Sequence, residues 1–277
     1  NYTMADADGD QSTATLTITV KGAGDSQTVT AQAAGGATTT VYETALVDGR
    51  TELSDPAVNS DTREAVSGTF QVSATDGVAS VTVLGQTFVP GGPLPQDINT
   101  GYGLLDITSF VLAADGKSAT VGYTYTLSDN VLTPPAGIDY FDDIGNGITV
   151  TGVSGASSAS VDLQIRIIDD TPLAVNDAGG TVTEDGAGSL GGNVLDNDEA
   201  GADKPAVFVS WGADAAAVAA LNSYGTLVRD PSTGDWSYVL DNSRPATQAL
   251  GASFNQTYTL NYTMADADGD QSTATLT

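Results

Sequence analysis

The sequence predicts an all-β fold in which two tandem β-sandwich domains form an extended rod. Three observations lead to this prediction. Apolar and polar residues alternate with a period of two in many stretches, turn signals separate these stretches at short intervals, and one long stretch of sequence is repeated.

The alternating stretches predict the strands. Alternation is strict at 80–83, 120–127 and 258–264, and further alternating runs lie at 160–167 and 274–277. Turn signals such as Asp76-Gly77, Asp115-Gly116 and 232–235 separate them at the spacing typical of a sandwich. Trp211 and Trp236 lie in alternating stretches, which predicts core positions for both.

Three other segments interrupt the strand pattern. The stretches 90–95 and 133–137 are rich in proline and glycine, which predicts loops. Residues 214–221 are rich in alanine and begin with an acidic residue, which predicts a helix.

The repeat indicates how the domains are organised. Residues 1–17 recur letter for letter at 261–277, an offset of 260 residues. A tandem array with a 260-residue unit explains this identity, and a duplicated end within one domain is the alternative. Weaker internal similarity, such as 40–43 with 181–184 and 125–130 with 238–242, divides the unit in two. We therefore predict that 1–20 are the C-terminal strands of a preceding repeat, that 21–170 form an enlarged Ig-like sandwich, and that 171–277 form a second, smaller one.

Composition and charge restrict the function. The chain has 35 acidic and 8 basic residues, a formal net charge of −27, and neither histidine nor cysteine. The charge argues against binding to nucleic acid or to anionic lipid, and the missing residue types exclude disulfides and histidine-ligated or cysteine-ligated metals. No apolar stretch is long enough to span a membrane, so we expect no membrane insertion by this segment. We expect a monomer.

The acidic residues are concentrated in a few loops. Asp266, Asp268 and Asp270 lie at alternate positions between two alternating stretches, with Gly269 among them, which predicts a hairpin tip whose carboxylates converge. Calcium takes six to eight oxygen ligands, so this loop is a candidate Ca²⁺ site. The alternative is a solvated acidic turn. The same loop occurs at Asp6, Asp8 and Asp10, whereas the corresponding tip at 152–156 has no acidic residue.

Other candidate ligands lie at the predicted boundary between the domains and in the second domain. Asp169, Asp170, Asn176 and Asp177 flank Pro172, and we expect a joint here that calcium stiffens more than the glycine-rich joint at 21–25. An acidic flexible linker is the alternative. Each remaining candidate has a solvated loop as its alternative: Glu184, Asp185, Asp196, Asp198, Asp142, Asp143 and, in the first domain at the position equivalent to Glu184, Glu43.

These motifs resemble a known family. The stretches TVTEDG and LGGNVLDNDEAGAD within 181–203, GDWSYVLDN at 234–242 and YTMADADGDQSTATLT at 262–277 resemble bacterial Ig-like repeats of the VCBS type. The stretches TTTVYETAL at 38–46, ATDGVASVTVLG at 74–85 and IIDDTPLAVND at 167–177 are similar to the companion repeat of giant RTX adhesins secreted by the type I pathway. The Val-x-Glu at 182–184 and the acidic linker also resemble the calcium-rigidified junctions of cadherins.

The resemblance implies a role in adhesion. It implies a segment of an adhesin tethered to the outer membrane of a Gram-negative bacterium, acting as a calcium-binding stalk that projects a distal adhesive domain. The alternative is a module that binds a carbohydrate or a protein, for which Tyr102, Tyr140 and Phe141 in the loops 90–104 and 133–147 are candidates. No catalytic constellation is apparent, so we expect no enzymatic activity.

Overall fold

A computed structural model describes residues 1–31, 36–50, 61–94, 96–132, 140–143, 147–186 and 188–277. The predicted loop at 133–137 lies outside these ranges. The strands are β1 (Tyr2–Ala5), β2 (Gln11–Ala14), β3 (Gln27–Thr30), β4 (Thr40–Tyr42), β5 (Ala65–Ala74), β6 (Val78–Val83), β7 (Gln86–Phe88), β8 (Gln96–Asn99), β9 (Gly103–Leu112), β10 (Ser118–Leu127), β11 (Tyr140–Asp143), β12 (Ile148–Gly152), β13 (Ile165–Ile168), β14 (Ser189–Asn193), β15 (Val207–Trp211), β16 (Gly225–Arg229), β17 (Asp235–Leu240), β18 (Leu260–Ala265) and β19 (Gln271–Leu276).

The described residues also form three short helical segments. Residues Glu43–Ala45 form one 3₁₀ turn after β4, and the α-helices are α1 (Ala215–Tyr224) and α2 (Pro245–Gln248). The helix predicted at 214–221 is confirmed as α1, with Asp214 at its N-cap position. None of the helices in the described part of the chain is long and apolar enough to cross a membrane.

The larger sandwich packs a five-stranded sheet, ordered β3-β5-β10-β9-β8, against two three-stranded sheets, β12-β6-β7 and β11-β13-β4. The alternation predicted at 120–127 is confirmed in β10, whose Val121, Tyr123, Tyr125 and Leu127 are buried in the core. Glycine is required opposite one of these rings, because a Cβ atom at Gly68 would collide with the ring of Tyr123. In the core of this sandwich, the large ring of Tyr123 from β10 therefore packs directly against the glycine backbone at Gly68.

The smaller sandwich packs the sheet β14-β17-β16 against the sheet β15-β18-β19. Leu260 and Tyr262 from β18 and Ala274 and Leu276 from β19 form its buried centre with Val194. Trp211 and Trp236 pack against this centre, as the alternation of their strands predicts. The predicted strand at 258–264 appears as β18, and the one at 274–277 as the end of β19.

One predicted strand is divided. Residues 160–167 read as one alternating run, but Val161 bridges to Ile148 in one sheet while β13 pairs with β11 and β4 in another. The chain therefore changes sheets between Val161 and Ile165. Alternation alone did not reveal this, because the inward-facing residues keep the same period on both sides of the crossing.

The N-terminal hairpin makes a sheet of its own. β1 and β2 pair in the register Tyr2↔Ala14 to Ala5↔Gln11, the same as in β18 and β19, and all of their side chains are exposed.

The division of the chain into domains at 1–20, 21–170 and 171–277 stays a prediction. The two buried clusters fall on either side of its second boundary.

Candidate metal centre

Three carboxylates from different parts of the chain meet where the two sandwiches join. Glu43 lies in the 3₁₀ turn after β4, Asp169 directly follows β13, and Asp203 lies in the loop between β14 and β15. Their side chains are buried, and one oxygen of each lies within 4.8 Å of the others. The ends of both sandwiches and the connection between them therefore contribute to one group.

A second group shares Asp203 with the first. Oxygen atoms of Asp203, Asp266 and Asp268 lie within 4.8 Å of one another. Asp266 and Asp268 lie at the predicted hairpin tip between β18 and β19, and Gly269 provides the turn with a φ of +106°. The backbone N–H of Ala267 donates to the carbonyl of Asp203 at 2.9 Å and fixes the tip against the β14–β15 loop. Five carboxylates, Glu43, Asp169, Asp203, Asp266 and Asp268, thus form the junction cluster.

Part of the junction cluster is held by ordinary hydrogen bonds. One oxygen of Glu43 accepts the backbone N–H of Val131 at 2.6 Å. One oxygen of Asp203 accepts a bond from the side-chain amide of Asn130, and Oδ1 of Asp266 accepts the N–H groups of Gly269 and Asp270 at 3.0 and 2.8 Å. These bonds orient the carboxylates without neutralising them.

Four other oxygens of the cluster lack hydrogen-bond partners. Both oxygens of Asp169 and Oδ2 of Asp203 and Asp266 are buried without a partner. Asp169 is 9% exposed, Asp203 0% and Asp266 3%. A buried, unpaired carboxylate is costly, so these atoms indicate a place for a positively charged ligand.

Burial changes the acidity of the cluster. Desolvation, reinforced by the neighbouring carboxylates, raises the pKa of Glu43 and of Asp266 to about 7 each and raises the pKa of Asp169 further. It also raises the pKa of Asp203. Among the described residues, no basic side chain forms an ion pair with any of the five; the nearby pairs are Arg50 with Asp170 and Lys204 with Asp48. Among the described residues, no basic side chain therefore compensates the negative charge that the cluster carries when its carboxyl groups are ionised.

The cluster fits a hard divalent cation. Calcium binds carboxylate, amide and carbonyl oxygens in flexible geometry, and these residues supply oxygen atoms only. The burial of the unpaired oxygens favours a bound ion over the solvated turn, which would need exposed carboxylates. Glu43, Asp169, Asp203, Asp266 and Asp268 are the residues that would hold it.

The copy of the acidic tip at the N-terminus has a different environment. Oxygen atoms of Asp6, Asp8 and Asp10 also lie within 4.8 Å of one another, and the N–H of Asp10 donates to Asp6 at 2.9 Å, as in the second copy. Here all three residues are exposed. The local turn is thus encoded by the sequence, whereas burial depends on the sandwich around it.

The other candidates from the linker lie beside the cluster. Asp170 is buried and accepts the backbone N–H groups of Arg50 and Ala202, so it links the two sandwiches directly. Asn176 accepts the N–H and hydroxyl of Thr275 at 3.0 and 2.9 Å. Burial raises the pKa of Asp177 to about 6, and the charges of Asp198 and Asp196 add to this effect. These residues hold the linker against the second sandwich.

The remaining candidates lie elsewhere in the described structure. Asp198 accepts the Tyr262 hydroxyl at 2.9 Å and the Val175 N–H at 2.7 Å. Asp198 belongs to none of the three groups of close carboxylates, and neither do Glu184, Asp185, Asp196, Asp270, Asp142 and Asp143. Of these, Asp142 forms a two-bond ion pair with Arg166, and Asp143 accepts the Tyr125 hydroxyl.

The sequence analysis missed Asp203 and Asn130. Asp203 ends the stretch LGGNVLDNDEAGAD that carries the family resemblance, but no spacing pattern places it near the hairpin tip. Its position depends on how the β14–β15 loop folds over the end of β18.

The aromatic residues proposed as a ligand platform have partners within the protein. Tyr102 and Phe141 contact each other edge to face, with centroids 5.3 Å apart, and both pack against the larger core. The guanidinium of Arg166 lies 3.9 Å from the ring centroid of Tyr140. The three rings therefore contact other side chains of the protein itself.

No curated protein matches the sequence. Among solved structures, the chain is similar to the zebrafish RET cadherin-like domains 1 to 4, at 14% identity and a TM-score of 0.26, with 91% of this chain and 51% of that chain covered. It is also similar to the human desmocollin-1 ectodomain, at 11% identity and a TM-score of 0.25, with 77% and 43% covered. The chain thus spans about half the length of these structures.

The family comparison covers the second sandwich. Residues 169–277 match the model of the bacterial Ig domain family. Together with the paired sheets, this match shows that the protein is an all-β chain of Ig-like sandwiches, in which 169–277 are similar to the bacterial Ig domain.

Proposed function

We propose that the chain is a calcium-binding extender module of a bacterial surface adhesin, in which Ca²⁺ at the junction cluster holds adjacent sandwiches in a fixed orientation. The observation that carries this proposal is the set of buried, unpaired oxygens on Asp169, Asp203 and Asp266. These atoms come from the linker, a loop of the second sandwich and its hairpin tip. A cation bound there would also contact Glu43 of the first sandwich.

The cation supplies charge neutralisation and a multidentate link. A ligand that binds only the folded state stabilises it by RT ln(1 + [L]/Kd), which is about 4 kcal/mol at a thousandfold excess over Kd. Without the ion, the mutual repulsion of the five carboxylates opposes docking of the sandwiches. Extracellular calcium would therefore fold and stiffen the module after export.

The wider setting belongs to the same proposal. The repeat of 1–17 at 261–277 supports neighbouring tandem repeats of the same chain as its partners. We place the module in an adhesin exported by the type I pathway and tethered to the outer membrane of a Gram-negative bacterium, where it lengthens the stalk. The internal contacts of Tyr102 and Phe141 favour this role over carbohydrate binding.

Calcium titration calorimetry tests the proposal with a matched pair of variants. Asp268→Asn removes a ligand from the junction cluster, whereas Asp8→Asn changes the same residue in an identical local sequence that is exposed. Asp268→Asn is expected to weaken binding at the high-affinity site about tenfold or more, and Asp8→Asn to leave that site unchanged. Equal effects of the two substitutions, or no saturable binding to the parent protein, would refute the proposal.

Limited proteolysis tests the stiffening. A nonspecific protease is expected to cut the joint at 169–177 more slowly when calcium is present. The joint at 21–25, where all residues are exposed and outside any strand, serves as the internal control. Equal protection of both joints would contradict a specific effect at the junction.

A further inference from the structure

The hairpin tip of the first sandwich, at 152–156, has the backbone of the acidic tip at 266–270 but no acidic residue of its own. In both tips the N–H of the first residue donates to the carbonyl of the fifth, at 2.8 Å in the first sandwich and 3.2 Å in the second. The fourth residue of each is a glycine with a positive φ, +89° at Gly155 and +106° at Gly269. The two loops are therefore structural equivalents that differ in their side chains.

A carboxylate nevertheless lies at the tip of the first sandwich, and it comes from the turn between β5 and β6. Oδ2 of Asp76 accepts the backbone N–H of Ser154. A Cβ atom on Gly152, the first residue of the tip, would lie 2.3 Å from Oδ1 of Asp76. Asp76 therefore occupies the space that a side chain equivalent to Asp266 would enter.

The turn that carries Asp76 is itself fixed by backbone hydrogen bonds on two sides. The N–H of Val153 in the tip donates to the carbonyl of Gly77 at 3.0 Å. The N–H of Thr75 donates to the carbonyl of Ser26 at 3.0 Å, just before β3. The tip, the turn and the start of β3 are thus joined, and this arrangement holds Asp76 against the tip.

The surroundings of Asp76 supply hydrogen-bond donors. The hydrogen bonds from Ser154 hold the pKa of Asp76 below its usual value, and the side-chain amide of Gln27 lowers it further. Oδ1 of Asp76 is buried without another partner, and so is Nε2 of Gln27. A neutral donor of the protein is therefore available to the one oxygen that Ser154 does not bind.

The carboxylates at the two tips differ in what stabilises their charge. Burial raises the pKa of Asp266 to about 7, whereas the pKa of Asp76 is lowered. Asp266 also belongs to a group of three close carboxylates, and Asp76 belongs to none of the groups found among the described residues. N–H donors therefore stabilise the anion of Asp76, while the anion of Asp266 requires a cation.

We propose that Asp76 takes the place of a tip carboxylate and its cation in the first sandwich, so that the tip at 152–156 keeps its structure without calcium. The two tips of the chain then respond differently to calcium, because only the tip at 266–270 belongs to the junction cluster. This conformational device goes beyond the extender function and does not depend on a cation at the junction cluster.

Hydrogen–deuterium exchange of the full chain, followed by mass spectrometry in EGTA and in calcium, tests the proposal. Peptides covering 148–158 are expected to exchange at the same rate in both conditions. Asp76→Ala removes the acceptor of the Ser154 N–H and is expected to speed their exchange about tenfold in both. The control Asp115→Ala changes another Asp-Gly turn, whose carboxylate accepts the N–H of Lys117 within the same turn, and is expected to leave these peptides unchanged.

Two results of the exchange experiment would overturn the proposal. One is protection of the peptides covering 148–158 that appears only in calcium, and the other is protection that Asp76→Ala leaves unchanged. Peptides covering 262–272 report on the junction cluster instead, so a failure of the calcium site is seen separately from a failure of this proposal.

A second pair of substitutions tests whether Asp76 occupies the place of a side chain at 152. Gly152→Asp is expected to lower the melting temperature in EGTA by several degrees, because the new side chain collides with Asp76. In the Asp76→Ala background the same substitution is expected to lower it much less, because the space is then open. Equal losses in the two backgrounds would refute the exchange of one carboxylate for the other.

Discussion

Glu43 of the first sandwich and Asp203 of the second lie with carboxylate oxygens within 4.8 Å of each other, although both are fully buried. Two buried like charges at this distance repel each other, and Asp169 and Asp266 lie close by. The junction between the sandwiches is therefore unfavourable unless protons or a cation neutralise it. The following predictions depend on that relationship and on the burial of the hairpin tip.

Asp169→Asn is expected to change the stability in opposite directions with and without calcium. In EGTA at pH 7 the substitution removes a group that is ionised in the unfolded chain but hard to ionise in the folded one, so unfolding is expected to cost about 1 to 3 kcal/mol more. In saturating calcium it removes a ligand and is expected to lower the melting temperature. Scanning calorimetry of the variant and the parent protein, in EGTA and in calcium, measures both changes in stability. A variant that is less stable than the parent protein in EGTA would contradict the unfavourable burial of Asp169.

The stability of the calcium-free protein is expected to fall as the pH rises. Folding raises the pKa of Glu43 from 4.5 to about 7 and that of Asp266 from 3.8 to about 7, so the folded state binds more protons than the unfolded one in this range. The resulting stability is fully present below about pH 4 and is lost as the pH rises through 7. Exposed groups with lowered pKa, such as Asp241, oppose this trend weakly because water screens them.

Thermal melts in EGTA between pH 4 and pH 9 measure this dependence. Calcium competes with protons for the same oxygens, so the difference in melting temperature between the loaded and the calcium-free protein is expected to widen with pH. A calcium-free protein that becomes more stable between pH 5 and pH 8 would rule out the buried cluster as the main determinant.

Gly201→Ala is expected to weaken the junction although it replaces no carboxylate. Gly201 has a φ of +73°, and a Cβ atom there would lie 2.7 Å from a carboxylate oxygen of Asp170. Backbone strain and this collision together are expected to lower the unfolding free energy by about 1 to 3 kcal/mol. Gly116→Ala separates the two causes, because Gly116 has a φ of +69° and open space around it. Chemical denaturation measures the unfolding free energy of both variants. If Gly201→Ala and Gly116→Ala lowered it equally, the collision with Asp170 would not contribute to the effect.

Met264→Ala and Met4→Ala compare one substitution in two copies of the same sequence. Met264 is fully buried and Met4 is 64% exposed. The first is expected to lower the unfolding free energy by about 2 to 5 kcal/mol and the second to change it by less than about 0.5 kcal/mol. Urea denaturation of the two variants measures the difference. Similar values would show that β1 and β2 are packed in solution.

Much of the fold was predictable because it depends on local patterns. The alternation at 120–127 became β10, the alanine-rich segment became α1, and the acidic loop at 266–270 became a hairpin tip. The division of the run at 160–167 was missed because a strand that changes sheets keeps its period. Asp270 was predicted as a ligand together with Asp266 and Asp268, and its role stays a prediction; the structure adds Asp203 to the latter two in one close group of carboxylates.

The sequence by itself determined the acidic turns, since the two copies of DADGD adopt the same hydrogen-bonded loop in different surroundings. It also limited the ligands that the chain could offer a metal mainly to oxygen atoms, because the chain has neither histidine nor cysteine. Only the tertiary structure decided which carboxylates lose their water. Glu43, Asp169 and Asp203 are far apart along the chain, and only the packing of one sandwich against the next buries their charges together.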